Sequence, residues 1–192
     1  MYGEEFFDEI AEAVELVNYS PRYRLGDFDC GIPDYNEFLT HDAQIYIEKN
    51  ISQVKLLINK TNADVIGYIS LNTDSFILDP NEKEKEGLNI PFGSIPALKI
   101  GKLAVCEKYR GEGKPPYGSF LMYLALGYLE QLNHIGIGCR FLVVDADITH
   151  KPDTPKFYEK NGFVYNEKVN KSRKNAMSMR YDVLNDFQPI SE

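Results

Sequence analysis

Apolar and polar residues follow two periods along this chain, and each change of period marks an expected element. Apolar residues at every third or fourth position predict an amphipathic helix from Glu4 to Val17. Apolar runs at Ile51–Asn59 and Asp64–Leu71 flank a polar turn and predict an antiparallel hairpin. The same criteria predict a short strand at Tyr23–Phe28, helices from Pro33 to about Ile47, from Tyr117 to about Leu132 and at Thr154–Lys160, and a last hairpin of Phe163–Tyr165 and Ala176–Val183.

Two strands and the helix between them predict a parallel pair in the sheet. Leu98–Val105 is the fourth strand, and Cys139–Ala146 is the nearly continuous apolar run of a strand that is covered on both faces. The intervening helix is apolar on most sides, so we expect a right-handed crossover. Ligands of such sheets bind at the carboxyl ends of the strands, here near Val105 and Asp145. The polar segment Asp79–Pro91 is expected to be a loop.

A glycine-rich turn joins the fourth strand to the apolar helix. It contains Arg110, Gly111, Gly113 and Gly118, and it leads directly into a helix N-terminus. Glycines allow close approach of a backbone, and the free N–H groups of a first helical turn bind anions, so the turn fits a phosphate-bearing cofactor. The spacing matches neither the P-loop nor the G-x-G-x-x-G motif. The alternative is an ordinary connection between a strand and a helix.

Two separated motifs resemble those of the GNAT superfamily of N-acetyltransferases. Arg110–Gly113, followed by Tyr117-Gly118, resembles its acetyl-CoA loop, Q/R-x-x-G-x-G/A, with Lys114-Pro115-Pro116 as an insertion. Prolines have no N–H to offer a phosphate, so the insertion implies a rearranged loop. Phe157–Phe163 resembles the family's F/L-Y-E-K-x-G-F segment.

Upstream segments resemble one branch of that superfamily, which contains the acetyltransferase toxins of toxin–antitoxin pairs. They are Phe28–Gly31 with Asn36, Phe38 and Leu39, then Gly67–Leu71, then Ala97–Val105. The resemblance extends from about Tyr23 to Leu184. It implies the GNAT fold, an α/β architecture whose mixed central sheet of six to seven strands is splayed between strands 4 and 5 and flanked by helices. Residues 1–20 would be a helical extension and residues 21–192 a single acetyltransferase domain.

The resemblance also implies an acetyl-CoA-dependent N-acetyltransferase in which a primary amine attacks directly in a ternary complex. Tyr158 would protonate the departing thiolate, since a phenol with a pKa of about 10 is protonated at neutral pH; otherwise it is one of many core tyrosines. The N–H of Val105 would stabilise the oxyanion. No general base is assigned among Asp74, Asp145 and Asp147. The cofactor-binding residues would be Leu103, Ala104, Val105, Arg110, Gly111, Glu112, Gly113, Tyr117, Gly118 and Ser119.

The acceptor and the partners remain open at the level of sequence. The toxin branch implies the amino group of an aminoacyl-tRNA and a small antitoxin protein. The formal net charge of −8 and the pI near 5.0 instead favour a small amine, a peptide N-terminus or a lysine. Basic residues between Lys168 and Arg180 fit a local patch or a solvated hairpin edge. The inserted prolines keep a second class open, a non-catalytic GNAT-fold module for binding or assembly.

Composition adds bounds to these expectations. A chain of 192 residues with 43% hydrophobic content fits one folded domain. The N-terminus is acidic and no apolar run is long enough to cross a bilayer, so a cytoplasmic protein without membrane contact is expected. Three scattered cysteines indicate neither disulfides nor a metal site. The N-terminal helix would cover the core, form a homodimer contact or bind another partner.

Overall fold

The computed structural model describes residues 4–167 and 174–184, and it contains the predicted α/β fold. Seven strands form one mixed sheet in the order β1-β2-β3-β4-β5-β7-β6, with β4 and β5 parallel. The pairs β1–β2, β2–β3, β5–β7 and β6–β7 are antiparallel. The strands are β1 (Val14–Asn18), β2 (Gln53–Asn59), β3 (Val65–Ile77), β4 (Ser94–Val105), β5 (Phe141–Asp147), β6 (Val164–Tyr165) and β7 (Ala176–Asp182).

Six α-helices within the described residues accompany the sheet. They are α1 (Glu4–Ala13), α2 (Pro33–Glu37), α3 (Ala43–Glu48), α4 (Pro80–Lys85), α5 (Tyr117–His134) and α6 (Thr154–Lys160). The long helix α5 begins at Tyr117 as predicted, and α6 has the predicted bounds. No helix among the described residues is long and apolar enough to cross a membrane.

The chain forms two compact units. The first consists of Met1–Asn72 and Ile100–Ala125, and the second of Thr73–Lys99 and Leu126–Glu192. The core of the first unit is built around Phe28, Phe38, Leu39 and Tyr68, with Tyr68 completely buried. The core of the second includes Ile95, Ala97, Phe141 and Val143.

The N-terminal helix is shorter than predicted. It ends at Ala13, and the chain continues as β1, whose residues Val14–Asn18 pair with β2 in the antiparallel sense. The helical prediction for Val14–Val17 is therefore wrong. Two β-branched valines favour a strand there, and pairing with the edge of β2 satisfies backbone groups that an isolated helical turn would leave to water.

The short strand predicted at Tyr23–Phe28 is also wrong. Leu25–Asp27 forms a 3₁₀ turn instead. Leu25 and Phe28 are both buried, which suits residues three apart on a helical turn, whereas a strand would direct them to opposite faces. Arg24, which precedes the turn, donates to the carboxylate of Asp64 at 2.7 Å and so holds the turn in place.

The helix predicted from Pro33 is interrupted by a π-helical segment, Phe38–Asp42, between α2 and α3. The N–H of Ala43 bonds to the carbonyl of Phe38, five residues earlier, so one extra residue enters the turn. Phe38 and Leu39 are buried in the core, whereas Ile45 on α3 is 45% exposed.

The segment predicted as a loop at Asp79–Pro91 contains helix α4. Asp79 caps it: its carboxylate accepts the N–H of Glu82 at 2.9 Å, and the N–H of Asp79 donates to Glu82 at 3.2 Å. With Pro80 at the first helical position, this is a capping box. The sequence Asp-Pro-x-Glu is a helix-start signal. The proline and glycine content of the whole segment instead favoured a loop, so the loop prediction is wrong for Pro80–Lys85.

Candidate active site

In the first unit, the glycine loop extends from the end of β4 to the start of α5. A 3₁₀ turn at Glu107–Tyr109 follows the strand, and an exposed stretch then leads to Tyr117. Gly111 has φ +113° and Gly113 has φ +72°, values that L side chains rarely adopt. A Cβ at either position would meet no atom within 4 Å. The glycines are therefore required by the backbone, and the space beside them in this unit is open.

The inserted prolines take part in starting helix α5. The carbonyl of Pro115 accepts the N–H of Tyr117 at 2.8 Å, and that of Pro116 accepts the N–H of Phe120 at 3.0 Å. The N–H groups of Gly118 and Ser119 lie in the first turn, where a helix offers no acceptor of its own and the positive end of its dipole favours an anion. The insertion thus contributes carbonyl acceptors to the start of the helix. N–H donors for an anion would come from the glycines of the loop and from the first turn of α5.

Arg110 is directed to neighbouring protein groups. Its Nη2 donates to the carbonyl of Cys30 and to Oε1 of Glu107, both at 2.9 Å, and its side chain is one-third exposed. The guanidinium therefore fastens the start of the loop to the turn at Asp29–Gly31. In this arrangement Arg110 acts as a brace for the loop, a role that the sequence did not indicate.

The turn at Asp29–Gly31 is built to receive that brace. Asp29 Oδ1 accepts the N–H of Gly31 and the amide of Asn36, both at 2.8 Å. These bonds, with the Arg110 charge as a smaller contribution, hold the pKa of Asp29 below its usual value. The carbonyl of Asp29 accepts the N–H of Glu107 at 2.8 Å. The upstream Phe-Asp-Cys-Gly motif therefore supports the loop that lies about eighty residues later in the chain.

Asp64 holds the 3₁₀ turn at Glu107–Tyr109 in place, a role that sequence reasoning missed. Its carboxylate accepts the Tyr109 hydroxyl at 2.6 Å and the ammonium of Lys108. These two hydrogen bonds lower the pKa of Asp64. The ring of Tyr109 also meets that of Tyr117 edge to face, with centroids 6.2 Å apart. The loop is thus held at its first turn and at the start of α5.

Leu103, Ala104 and Val105, which are expected among the cofactor-binding residues, are the last three residues of β4. Gly67 on β3 permits close packing beside them, because a Cβ there would lie 2.7 Å from the carbonyl oxygen of Ala104. Any larger residue at position 67 would push this strand end out of place. The Gly67–Leu71 motif thereby has a steric explanation.

In the second unit, Tyr158 lies in a cluster of aromatic rings. It is buried on helix α6, and its ring contacts Phe157 and Phe163 edge to face, at centroid distances of 5.1 and 5.4 Å. Phe163 continues the cluster to Tyr181. Tight packing on several sides fixes the direction of the phenol, as a proton donor requires.

The three carboxylates considered as bases have different partners. Asp74 on β3 and Asp145 on β5 both bind the ammonium of Lys99 on β4, at 3.1 and 2.9 Å. Burial would lower the pKa of Lys99, but the hydrogen bonds and charges of Asp145 and Asp74 raise it overall. Asp147 is separate: it accepts the N–H of Thr149 at 2.8 Å and meets Nδ1 of His150 at 2.6 Å. Burial opposes ionisation of Asp147, yet these bonds leave its pKa lowered.

Within the described part of the chain, the cysteines do not contribute to a metal centre. Cys30, Cys106 and Cys139 are buried free thiols. Among residues 4–167 and 174–184, no group of three or more His, Cys, Asp or Glu side chains is arranged to hold a metal ion.

Comparison with solved structures identifies the fold as the GNAT fold, as predicted. A bacterial toxin superposes with a TM-score of 0.74 at 20% identity, covering 91% of this chain and 93% of the other. AtaT complexed with acetyl-methionyl-tRNAfMet superposes with a TM-score of 0.72 at 23% identity over 91% and 96%. A tyrosine-to-phenylalanine mutant of the AtaT toxin, bound to the C-terminus of the antitoxin AtaR and acetyl-CoA, gives 0.69 at 20% over 92% and 99%.

At these identities the similarity establishes the shared fold. No protein-family model matches the sequence, and no curated protein is detectably similar to it. The structural neighbours nevertheless come from the toxin branch that the sequence motifs resemble.

Proposed function

We propose that this protein is an acetyl-CoA-dependent N-acetyltransferase in which a primary amine attacks the thioester directly in a ternary complex. The observation that carries the proposal is the braced glycine loop, with Gly111 and Gly113 in left-handed conformations before the N-terminus of the 18-residue helix α5. In the GNAT fold such a loop suits a pyrophosphate. The fold shared with the AtaT mutant bound to acetyl-CoA supports this choice of cofactor.

Each candidate residue has a role in this reaction. The first-turn N–H groups of α5 and the open glycine positions hold the phosphates, while Arg110 positions the loop. Leu103 and Val105 offer a strand edge to an extended amide chain, and the N–H of Val105 stabilises the oxyanion. Tyr158 gives its proton to the thiolate that leaves.

For the acceptor we propose the α-amino group of an aminoacyl-tRNA, with a small antitoxin protein as the partner that restrains the activity. The fold shared with AtaT complexed with acetyl-methionyl-tRNAfMet supports the choice of acceptor, and the fold shared with the AtaT mutant bound to the C-terminus of the antitoxin AtaR supports the choice of partner. The net charge of −8 argues against a broad nucleic-acid surface, so contact would concentrate on the acceptor end. Small free amines are the competing acceptors.

The cofactor is tested by calorimetric titration with acetyl-CoA and a pair of matched variants. Gly113→Val is expected to weaken binding of acetyl-CoA by at least about tenfold. A β-branched residue cannot keep the left-handed backbone at position 113, so the loop loses the conformation that holds the phosphates. Gly136→Val is the control, because Gly136 also has a positive φ of +89° and open space around its Cβ but lies at the other end of α5. Equal affinities of both variants would contradict the assigned site.

The acceptor is tested by incubation with labelled acetyl-CoA and a panel of charged tRNAs, deacylated tRNAs and free amines. We expect label on the α-amino group of charged tRNA, recovered as an N-acetyl amino acid after mild alkaline hydrolysis, and none on deacylated tRNA. Transfer to free amines with no preference for charged tRNA would contradict the tRNA assignment and leave the acetyltransferase assignment intact.

A second function is favoured by one observation: Arg110, a landmark of the cofactor loop, is bonded to Cys30 and Glu107. A folded protein that binds no acetyl-CoA would be a non-catalytic GNAT-fold module for binding or assembly.

A further inference from the structure

The glycine loop of the first unit contains a lysine that takes no part in holding the loop in place, Lys114 of the inserted segment Lys114-Pro115-Pro116. The proposed function puts a pyrophosphate beside Gly111, Gly113 and the start of α5, where the donors are neutral N–H groups. We infer that Lys114 binds the pyrophosphate of acetyl-CoA and supplies the positive charge that Arg110 does not. This inference rests on the proposed function and specifies how the cofactor is recognised.

The charges of the loop leave Lys114 as its available cation. Lys108 and Arg110 are both paired with carboxylates of the protein. Lys114 is exposed, and it belongs to none of the ion pairs in the described part of the chain. Glu112 is exposed as well, but its carboxylate would repel a phosphate. Lys114 is therefore the group of this loop whose charge a pyrophosphate can use.

A tight turn brings the backbone of Lys114 back to the open glycine positions. The N–H of Lys114 donates to the carbonyl of Gly111 at 3.2 Å, and Gly113, the third residue of the turn, has φ +72°. This hydrogen bond and this dihedral fit a type II turn, in which the first and fourth Cα atoms lie less than about 7 Å apart. The side chain of Lys114 thus starts beside Gly111, where a Cβ would meet no atom within 4 Å.

The two prolines restrain Lys114 on the side of the helix. A residue before proline is biased towards extended backbone, and the ring fixes φ of each proline. The carbonyl of Pro115 accepts the N–H of Tyr117 at 2.8 Å, and that of Pro116 accepts the N–H of Phe120 at 3.0 Å. Because the backbone is restrained on both sides of Lys114, binding costs mainly the ordering of one side chain.

The chemistry of the ammonium complements that of the N–H groups. The first turn of α5 offers oriented N–H donors and the positive end of the helix dipole, but no full charge. A lysine ammonium binds a phosphate oxygen as a point charge with three rotatable donors. Since Lys114 is exposed, its contribution should be weakened by salt. The inserted segment would thereby replace the cation that the loop loses when Arg110 pairs with Glu107.

The inference is tested by calorimetric titration of the full chain with acetyl-CoA at low and high salt. Lys114→Met is expected to weaken binding about tenfold at low salt, as for the loss of one charged hydrogen bond. The affinity that remains should depend less on salt. Lys114→Arg keeps the charge and should retain most of the affinity, which a merely structural role of the lysine stem would not predict.

Lys49→Met is the matched control. Lys49 is an exposed lysine at the end of α3, so this variant removes the same charge from a place outside the loop. It should bind acetyl-CoA as the unmodified protein does. Unchanged affinity in Lys114→Met, or equal losses in Lys114→Met and Lys49→Met, would overturn the inference.

The probe 3′-dephospho-acetyl-CoA distinguishes the phosphates of the cofactor. It keeps the pyrophosphate and lacks the separate phosphate on the ribose. Lys114→Met should weaken binding of this probe by the same factor as binding of acetyl-CoA. A loss confined to acetyl-CoA would put Lys114 at the ribose phosphate and overturn the assignment to the pyrophosphate.

The unmodified protein separates this inference from the proposed function. If it bound no acetyl-CoA, the proposed function and the role of Lys114 would both be refuted. If the unmodified protein and Lys114→Met bound acetyl-CoA equally well, only the role of Lys114 would be refuted, and the glycine loop would remain the proposed cofactor site.

Discussion

Tyr158→Phe is expected to lower the rate of acetyl transfer by about 10²–10⁴-fold, the usual contribution of general acid–base catalysis. The substitution removes only the hydroxyl and keeps the ring that packs against Phe157 and Phe163. Without a proton donor the thiolate must leave as an anion, so the barrier rises while ground-state binding is unaffected. The measurement is kcat with the best acceptor, accompanied by calorimetric affinity for acetyl-CoA, which should not change.

Tyr181→Phe provides the matched control for this prediction. Tyr181 is buried in the same ring cluster, where it contacts Phe163 at a centroid distance of 5.7 Å. It should keep a near-normal rate, since no role in proton transfer is assigned to it. If Tyr158→Phe also kept the normal rate, Tyr158 would be a core residue and not the acid. If both variants lost the same activity, the cause would be packing.

The parts of the fold that are coded locally could be predicted from the sequence. Thr154–Lys160 has proline at the second position and glycine just beyond the end, and α6 has the predicted bounds. The apolar stretch from Tyr117 predicts helix α5, and the apolar runs on either side of a polar turn predict the hairpin of β2 and β3, because these patterns are also local. The glycine loop can be recognised because positive φ strongly favours glycine, as at Gly111 and Gly113.

The remaining features depend on partners that lie far away in the chain. Val14–Asn18 becomes a strand because β2 offers an unpaired edge, and periodicity cannot show this. The brace from Arg110 to Cys30 spans eighty residues, so a family motif identified the arginine without indicating its contact. The ion pairs of Lys99 join residues of β3, β4 and β5. Sequence placed Asp74 and Asp145 among several candidates, but only the fold shows that they share one lysine.

The second large effect concerns stability and the buried ion cluster between helix α4 and strand β7. Arg180 on β7 is 4% exposed and Glu82 on α4 is 3% exposed. The guanidinium donates to Glu82 at 3.4 Å, to Glu86 at 2.6 Å and to the side chain of Asn166 at 2.8 Å. Buried charges of this kind are tolerated only when paired, so each member depends on the others.

Arg180→Met is therefore expected to lower the free energy of unfolding by about 3–5 kcal/mol, since it leaves the Glu82 carboxylate buried without its cation. Urea denaturation followed by circular dichroism measures the change. The double variant Arg180→Met with Glu82→Gln should recover part of the loss, because Gln removes one of the two carboxylates that lose their cation and keeps a side-chain oxygen for the N–H of Asp79. Lys156→Met, which breaks the exposed pair with Asp153, should leave the midpoint unchanged. Additive losses in the Arg180 and Glu82 variants would show that the two charges do not stabilise each other, and that α4 is held to the sheet by its apolar contacts.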